Sequence, residues 1–204
     1  MLFERCCPGC GAAAAGLCES CRQTLFGAPG APPRRRLTAE GPLASVVAGA
    51  EYDERLARVV LAAKNGGRRD LWPLLGGIVA EAALCTHGSR LGNAIVTFVP
   101  ASRARRRERG YDQGRDVARS VARSLGRPHR RLLRRRGAAA QWGRARAQRL
   151  DGPTVAPTGP CPPTVLLVDD VATTGASLQA AAAALLAVGA TTVHGAVVGV
   201  VTRG

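Results

Sequence analysis

Val165-Leu166-Leu167-Val168-Asp169-Asp170-Val171-Ala172-Thr173-Thr174-Gly175-Ala176-Ser177 is the stretch that decides the fold of this 204-residue chain. Its apolar start reads as a buried strand over 164–168, and the strand stops at two carboxylates. A turn of hydroxyls and one glycine follows, and 176–188 reads as a helix. In α/β sheets ligands sit beyond the carboxyl ends of strands, which is where Asp169 and Asp170 fall. The backbone N–H groups of Thr174 to Ser177, the hydroxyls of Thr173, Thr174 and Ser177, and the helix N-terminus predict a cradle for an anion. Gly175 lets a ligand approach without meeting a Cβ. Adjacent carboxylates suit two neighbouring sugar hydroxyls or a Mg²⁺ ion. The competing reading is an ordinary strand–turn–helix corner capped by threonines. A Walker loop is excluded, because G-x-x-x-x-G-K-[ST] is absent.

Upstream the pattern alternates in the same way. Residues 44–52 read as a strand, and Asp53 caps a helix with Leu56, Val59, Val60 and Ala63 on one face. Lys64-Asn65-Gly66-Gly67 reads as a turn. A second helix covers 70–84, with Pro73 in its first turn, and 94–99 is a short strand stopped by Pro100. Gln113–Leu125 is a helix with Val117, Val121 and Leu125 inward and Arg115, Arg119 and Arg123 outward. Residues 151–163 read as a loop and 191–202 as a last strand. This order predicts an α/β fold, a mainly parallel sheet flanked by helices.

The amino-terminal segment differs. Five of the seven cysteines lie in the first 21 residues, with C-x-x-C pairs at Cys7/Cys10 and Cys18/Cys21. Two such knuckles supply four thiolates, a closed tetrahedral shell suited to structural Zn²⁺. Disulfides and a redox pair are the alternatives, and Cys6, Cys85 and Cys161 read as bystanders. A Pro/Gly-rich run and Arg34-Arg35-Arg36 place a boundary near residues 30–42, dividing a four-cysteine zinc domain (1–35) from an α/β domain (36–204).

Net charge is +15, and residues 51–150 hold 23 of the 29 Lys and Arg side chains but 8 of the 14 acidic ones. Lys64 is the sole lysine. Such a field suits phosphates or nucleic acid, or is a solvated surface. No apolar run reaches the length of a membrane span, and no apolar leader follows Met1, which predicts a soluble cytoplasmic protein.

The run VLLVDDVATTGASL resembles the phosphoribosyl-diphosphate (PRPP) motif of type I phosphoribosyltransferases, and with the Cys-rich start the chain resembles the ComF/GntX family. Lys64-Asn65-Gly66-Gly67 stands where that family has a Lys-aromatic-x-Gly turn. Val99-Pro100, Arg103–Arg109 and Gly110-Tyr111-Asp112-Gln113 are similar to its arginine-rich stretch, with Asp112 in place of Asn. Gln141-Trp142-Gly143 with Arg149 faintly resembles its Gln-x-Gly…Arg segment. The resemblance implies PRPP bound with Mg²⁺ at Asp169, Asp170, Val171, Ala172, Thr173, Thr174, Gly175, Ala176 and Ser177. Lys64, Gly66 and Arg109 would face the diphosphate and its Mg²⁺, with Arg103–Arg109 as a mobile lid. It also implies a role with single-stranded DNA in competence, through Arg103, Arg105, Arg106 and Arg107, and a protein partner in a DNA-uptake or helicase machinery. Arg130, Arg131, Arg134, Arg135 and Arg136 are expected to lie farther from the diphosphate. An active transferase on a small-molecule acceptor and a non-catalytic PRPP sensor remain the alternatives; no base-recognition hood is identifiable.

Overall fold

Four consecutive Val and Leu residues, Val165 to Val168, are wholly buried because their strand is covered on both faces. The computed structural model describes residues 6–27, 35–37, 41–65, 67–136 and 155–201. The predicted domain boundary, Gly66 and the 141–149 segment lie wholly or partly outside these residues.

The main sheet contains β1 (Arg35–Leu37), β2 (Ser45–Glu51), β3 (Ile95–Phe98), β6 (Thr164–Ala172) and β7 (Thr192–Val200), in the order β1-β2-β7-β6-β3. Only β1 runs antiparallel; β2, β7, β6 and β3 pair in parallel. The fold is therefore α/β with a mainly parallel sheet. One face buries Leu166 and Val168 against α2 (Glu54–Asn65), α3 (Trp72–His87) and α5 (Gln113–Leu125). The other buries Val165 and Leu167 against α6 (Ala176–Leu186) and a small ribbon of β4 (Leu133–Arg135) and β5 (Val155–Pro157). Period-2 alternation along β6 thus feeds two cores.

Local signals account for the elements. Asp53 Oδ1 accepts the Leu56 N–H at 2.7 Å and caps α2, and Leu56, Val59, Val60 and Ala63 are fully buried as the periodicity predicts. Pro73 sits in the first turn of α3. At the amino ends of the strands, Ser45 Oγ satisfies two buried imidazoles, His194 Nδ1 at 2.9 Å and His87 Nε2 at 3.3 Å.

Two expectations need correction. Residues 151–163 are not all loop, because Val155–Pro157 pairs with Leu133–Arg135. Strands of three residues are too short to show a period. The central strand also runs on to Ala172, since its ladder with β7 continues to Ala172 opposite Val200. Asp169 and Asp170 therefore stand within the last part of β6, not beyond it. Among the described residues, no helix is long and apolar enough to cross a membrane.

Candidate functional site

At the carboxyl end of β6 the chain turns through Thr173, Thr174 and Gly175 into α6. Gly175 has φ +74°, a left-handed conformation that favours glycine, and it is the residue from which α6 starts. Thr174 Oγ1 meets the Ala176 N–H at 3.4 Å. Thr173 and Thr174 are exposed and Ser177 is half-buried, so the turn offers hydroxyls to solvent beside the first N–H groups of an 11-residue helix. A cavity of about 190 Å³ beside it is walled by Leu43, Val46, Leu178 and Val200.

The strand's alternation sends the two carboxylates to opposite faces. Asp170 turns toward α2, where its Oδ2 lies 2.9 Å from Lys64 Nζ; these side chains are 9% and 15% exposed. Two residues 106 positions apart in sequence, both predicted for the site, therefore meet directly. Asp169 Oδ1 accepts the Asp170 N–H at 2.8 Å. Burial, reinforced by the neighbouring Asp170 charge, pushes the Asp169 carboxyl up to about 8, against the pull of Lys64 and Arg135.

Lys64 lies in the last turn of α2, and the last carbonyls of that helix are capped from elsewhere. The Tyr111 hydroxyl donates to Ala63 O (2.6 Å) and Lys64 O (3.0 Å), and the Arg68 N–H reaches Ala62 O at 3.2 Å. Arg69 stacks over the Tyr111 ring at 4.6 Å and is paired with Asp116 at 2.7 Å. Between these elements opens a cavity of about 350 Å³ lined by Lys64, Asn65, Arg69, Arg109 and Tyr111. Arg109 Nε and Nη1 are shielded from water there without a hydrogen-bond partner among the described residues, as is Arg106 Nε. Unpaired guanidinium donors beside a cavity suit an anion.

Arg103–Arg109 forms α4, a helix capped by the Ser102 hydroxyl on the Arg105 N–H (3.2 Å) and closed by left-handed Gly110. It buries no residue; Arg103, Arg105 and Arg107 are exposed and Arg106 is half-exposed. Arg135 Nε donates to Pro100 O at 2.7 Å, and its charge acts on Asp169. The β4–β5 ribbon brings it there, and that ribbon was not legible from periodicity. Tyr111 as a helix clamp was likewise unforeseen, although it lies inside the quoted Arg-Gly-Tyr-Asp-Gln run.

The cysteine knuckle forms a second candidate site. The Sγ atoms of Cys7, Cys10, Cys18 and Cys21 all lie within 4.8 Å of one another, and Cys10 and Cys18 are 3.6 Å apart. Four thiolates at Zn–S ≈ 2.3 Å stand about 3.8 Å apart in a tetrahedron, so the set fits a soft divalent ion. Gly9 is required there, since a Cβ would stand 2.8 Å from Cys21 Sγ. All seven cysteines are unbridged. Burial works to raise the Cys7 thiol, but N–H groups of Cys18, Cys10 and Gly9 outweigh it and bring it to about 6. Burial and the neighbouring sulfurs push Cys21 up to about 12, the crowding that a cation relieves. Leu25 and Phe26, from α1 (Glu19–Phe26), join the core that holds Leu56, Leu75 and Val79.

No family model matches the chain, and no curated protein matches it. Among solved structures it is similar to the allosteric regulatory enzyme of purine biosynthesis, at 19% identity over 62% of this chain and 25% of that one, with a TM-score of 0.41. It is also similar to glutamine phosphoribosylpyrophosphate (PRPP) amidotransferase from B. subtilis, complexed with ADP and GMP, at 21% identity over 61% of this chain and 25% of that one, with a TM-score of 0.43. The chain spans about a quarter of the length of either.

Proposed function

We propose that this chain is a phosphoribosyltransferase-like protein of ComF type that binds PRPP with Mg²⁺ at the carboxyl end of β6, and that its cysteine knuckle holds a structural Zn²⁺. The observation that carries the reading is the Lys64–Asp170 ion pair, which joins the end of α2 to the strand that enters the anion-ready turn. In this reading Thr173, Thr174, Gly175 and Ser177 hold the 5′-phosphate through hydroxyls and helix N–H groups. Asp169 and Asp170 accept the ribose hydroxyls. Lys64 and Arg109 face the diphosphate across the 350 Å³ cavity, where guanidinium donors have no partner among the described residues. Mg²⁺ would bind with the diphosphate and neutralise its charge. Chemistry at the anomeric carbon would develop positive charge on the ribose, which the Asp170 carboxylate would stabilise, while Lys64 and Arg109 would stabilise the departing diphosphate.

Titration calorimetry with PRPP and Mg²⁺ tests the reading. Binding that fails in the Asp169→Asn/Asp170→Asn double variant supports it; equal affinity in that variant overturns it. The exposed arginines of α4 favour a second role, contact with single-stranded DNA through phosphates, as the ComF-like pattern implies.

A further inference from the structure

The cysteine knuckle does not merely precede the sheet domain; it is fastened to the helix that carries Lys64. Arg58 of α2 donates Nε and Nη2 to Gly9 O, inside the first C-x-x-C pair, at 3.1 and 3.0 Å. Arg68 reaches farther round the knuckle. Its Nη1 donates to Cys6 O at 3.2 Å and its Nη2 to Ala15 O at 2.8 Å, on either side of the Cys7/Cys10 turn. Asp70 holds the same guanidinium in place, through Nε at 3.0 Å and Nη2 at 3.0 Å. A planar fork that meets three separate acceptors fixes position as a lysine cannot.

The backbone of Arg68 is tied to α2 as well, since its N–H caps Ala62 O at 3.2 Å, two residues before Lys64. The end of the helix is thus gripped from two sides, by Tyr111 on Ala63 O and Lys64 O and by Arg68 on Ala62 O. Four carbonyls close an α-helix without partners of their own, and a helix that loses such caps frays from that end. Fraying at this end moves Lys64. We propose that Arg68 is a positioning residue for Lys64: it fastens the carboxyl end of α2 to the knuckle, so that the knuckle and the ion it holds set how well the site takes an anionic ligand. The last clause rests on the reading that Lys64 faces the diphosphate; the fastening itself does not.

Because Lys64 is the chain's sole lysine, its placement can be read directly. An amine-reactive acylating reagent modifies it at a rate set by its exposure and its pairing with Asp170, and peptide mass spectrometry separates it from the amino terminus. In the full-length chain, Arg68→Gln should speed acylation of Lys64 about fivefold or more and weaken PRPP·Mg²⁺ binding about tenfold, with zinc content unchanged. Arg68→Lys should restore both only in part. Chelation of the metal from the unsubstituted chain should speed the same acylation, which keeps the test open if Arg68→Gln folds poorly. An unchanged acylation rate after both Arg68→Gln and chelation overturns the proposal. If PRPP binds and neither measurement moves, the fastening fails while the ligand reading stands. If acylation quickens in a chain that never binds PRPP, the fastening stands and the ligand reading fails.

Discussion

Asp169→Asn should make this protein more stable above neutral pH while it weakens the binding of PRPP. The Asp169 carboxyl is pushed from an ordinary value of 3.8 up to about 8, first by burial and then by the Asp170 charge. Between those two values the folded chain keeps a proton on Asp169 that the unfolded chain has released. Stability therefore falls as pH rises from about 4 to about 8, at up to about 1.4 kcal/mol per pH unit, and levels off above the folded value. Four units would set a ceiling near ~5 kcal/mol, and the residual contact of Asp169 with solvent lowers the expected gain to about 2–3 kcal/mol. Asparagine keeps an oxygen for the Asp170 N–H that Asp169 now accepts at 2.8 Å, so the turn loses no hydrogen bond. Urea unfolding of the two proteins at pH 4.5, 6 and 8, without ligand, reads the difference. The gain should be small at pH 4.5 and largest at pH 8. An equal gain at all three pH values, or none at pH 8, would refute the assignment of a strained buried carboxylate. The same substitution replaces a carboxyl oxygen that the proposed site offers to a sugar hydroxyl, so stability and binding should move in opposite directions, as they do where a site is held against the preference of the fold.

Zinc should copurify at one ion per chain in the absence of added metal, and Cys10→Ser should lower that content and the unfolding temperature while Cys6→Ser does neither; less than half an ion per chain in the unsubstituted protein ends the structural-zinc reading. Single-stranded DNA should bind with an affinity that falls steeply with salt, log K against log [salt] having a slope near about −3 if about four phosphates are neutralised. Alanine at Arg103, Arg105 and Arg107, all exposed on a helix that buries nothing, should reduce both affinity and slope without unfolding the chain. A salt-insensitive interaction, measured by fluorescence anisotropy, assigns that charge to solubility instead.

Legibility in the sequence followed the range of the interaction. Elements defined by a local period were readable: α2 by Leu56, Val59, Val60 and Ala63, α5 by its Val117/Val121 stripe, β6 by four apolar residues in a row. Turn chemistry was readable too, because hydroxyls and a glycine before a helix mark a turn, and Gly175 takes a φ of +74° there. The β4–β5 ribbon was not, since two three-residue strands carry no period and their pairing is set by the core they cover. The effect of the Arg135 charge on Asp169 was unreadable for the same reason. The site shows the same division more sharply. The residue types of an anion cradle can be recognised in a line of sequence, but the helix end that carries Lys64 is capped by Tyr111 and Arg68 through backbone carbonyls that every residue possesses. Carbonyl acceptors leave no mark on sequence. Residues that act by holding another residue's backbone are therefore invisible to motif reading, and in this chain Arg68 joins the cysteine knuckle to the end of α2 in that way.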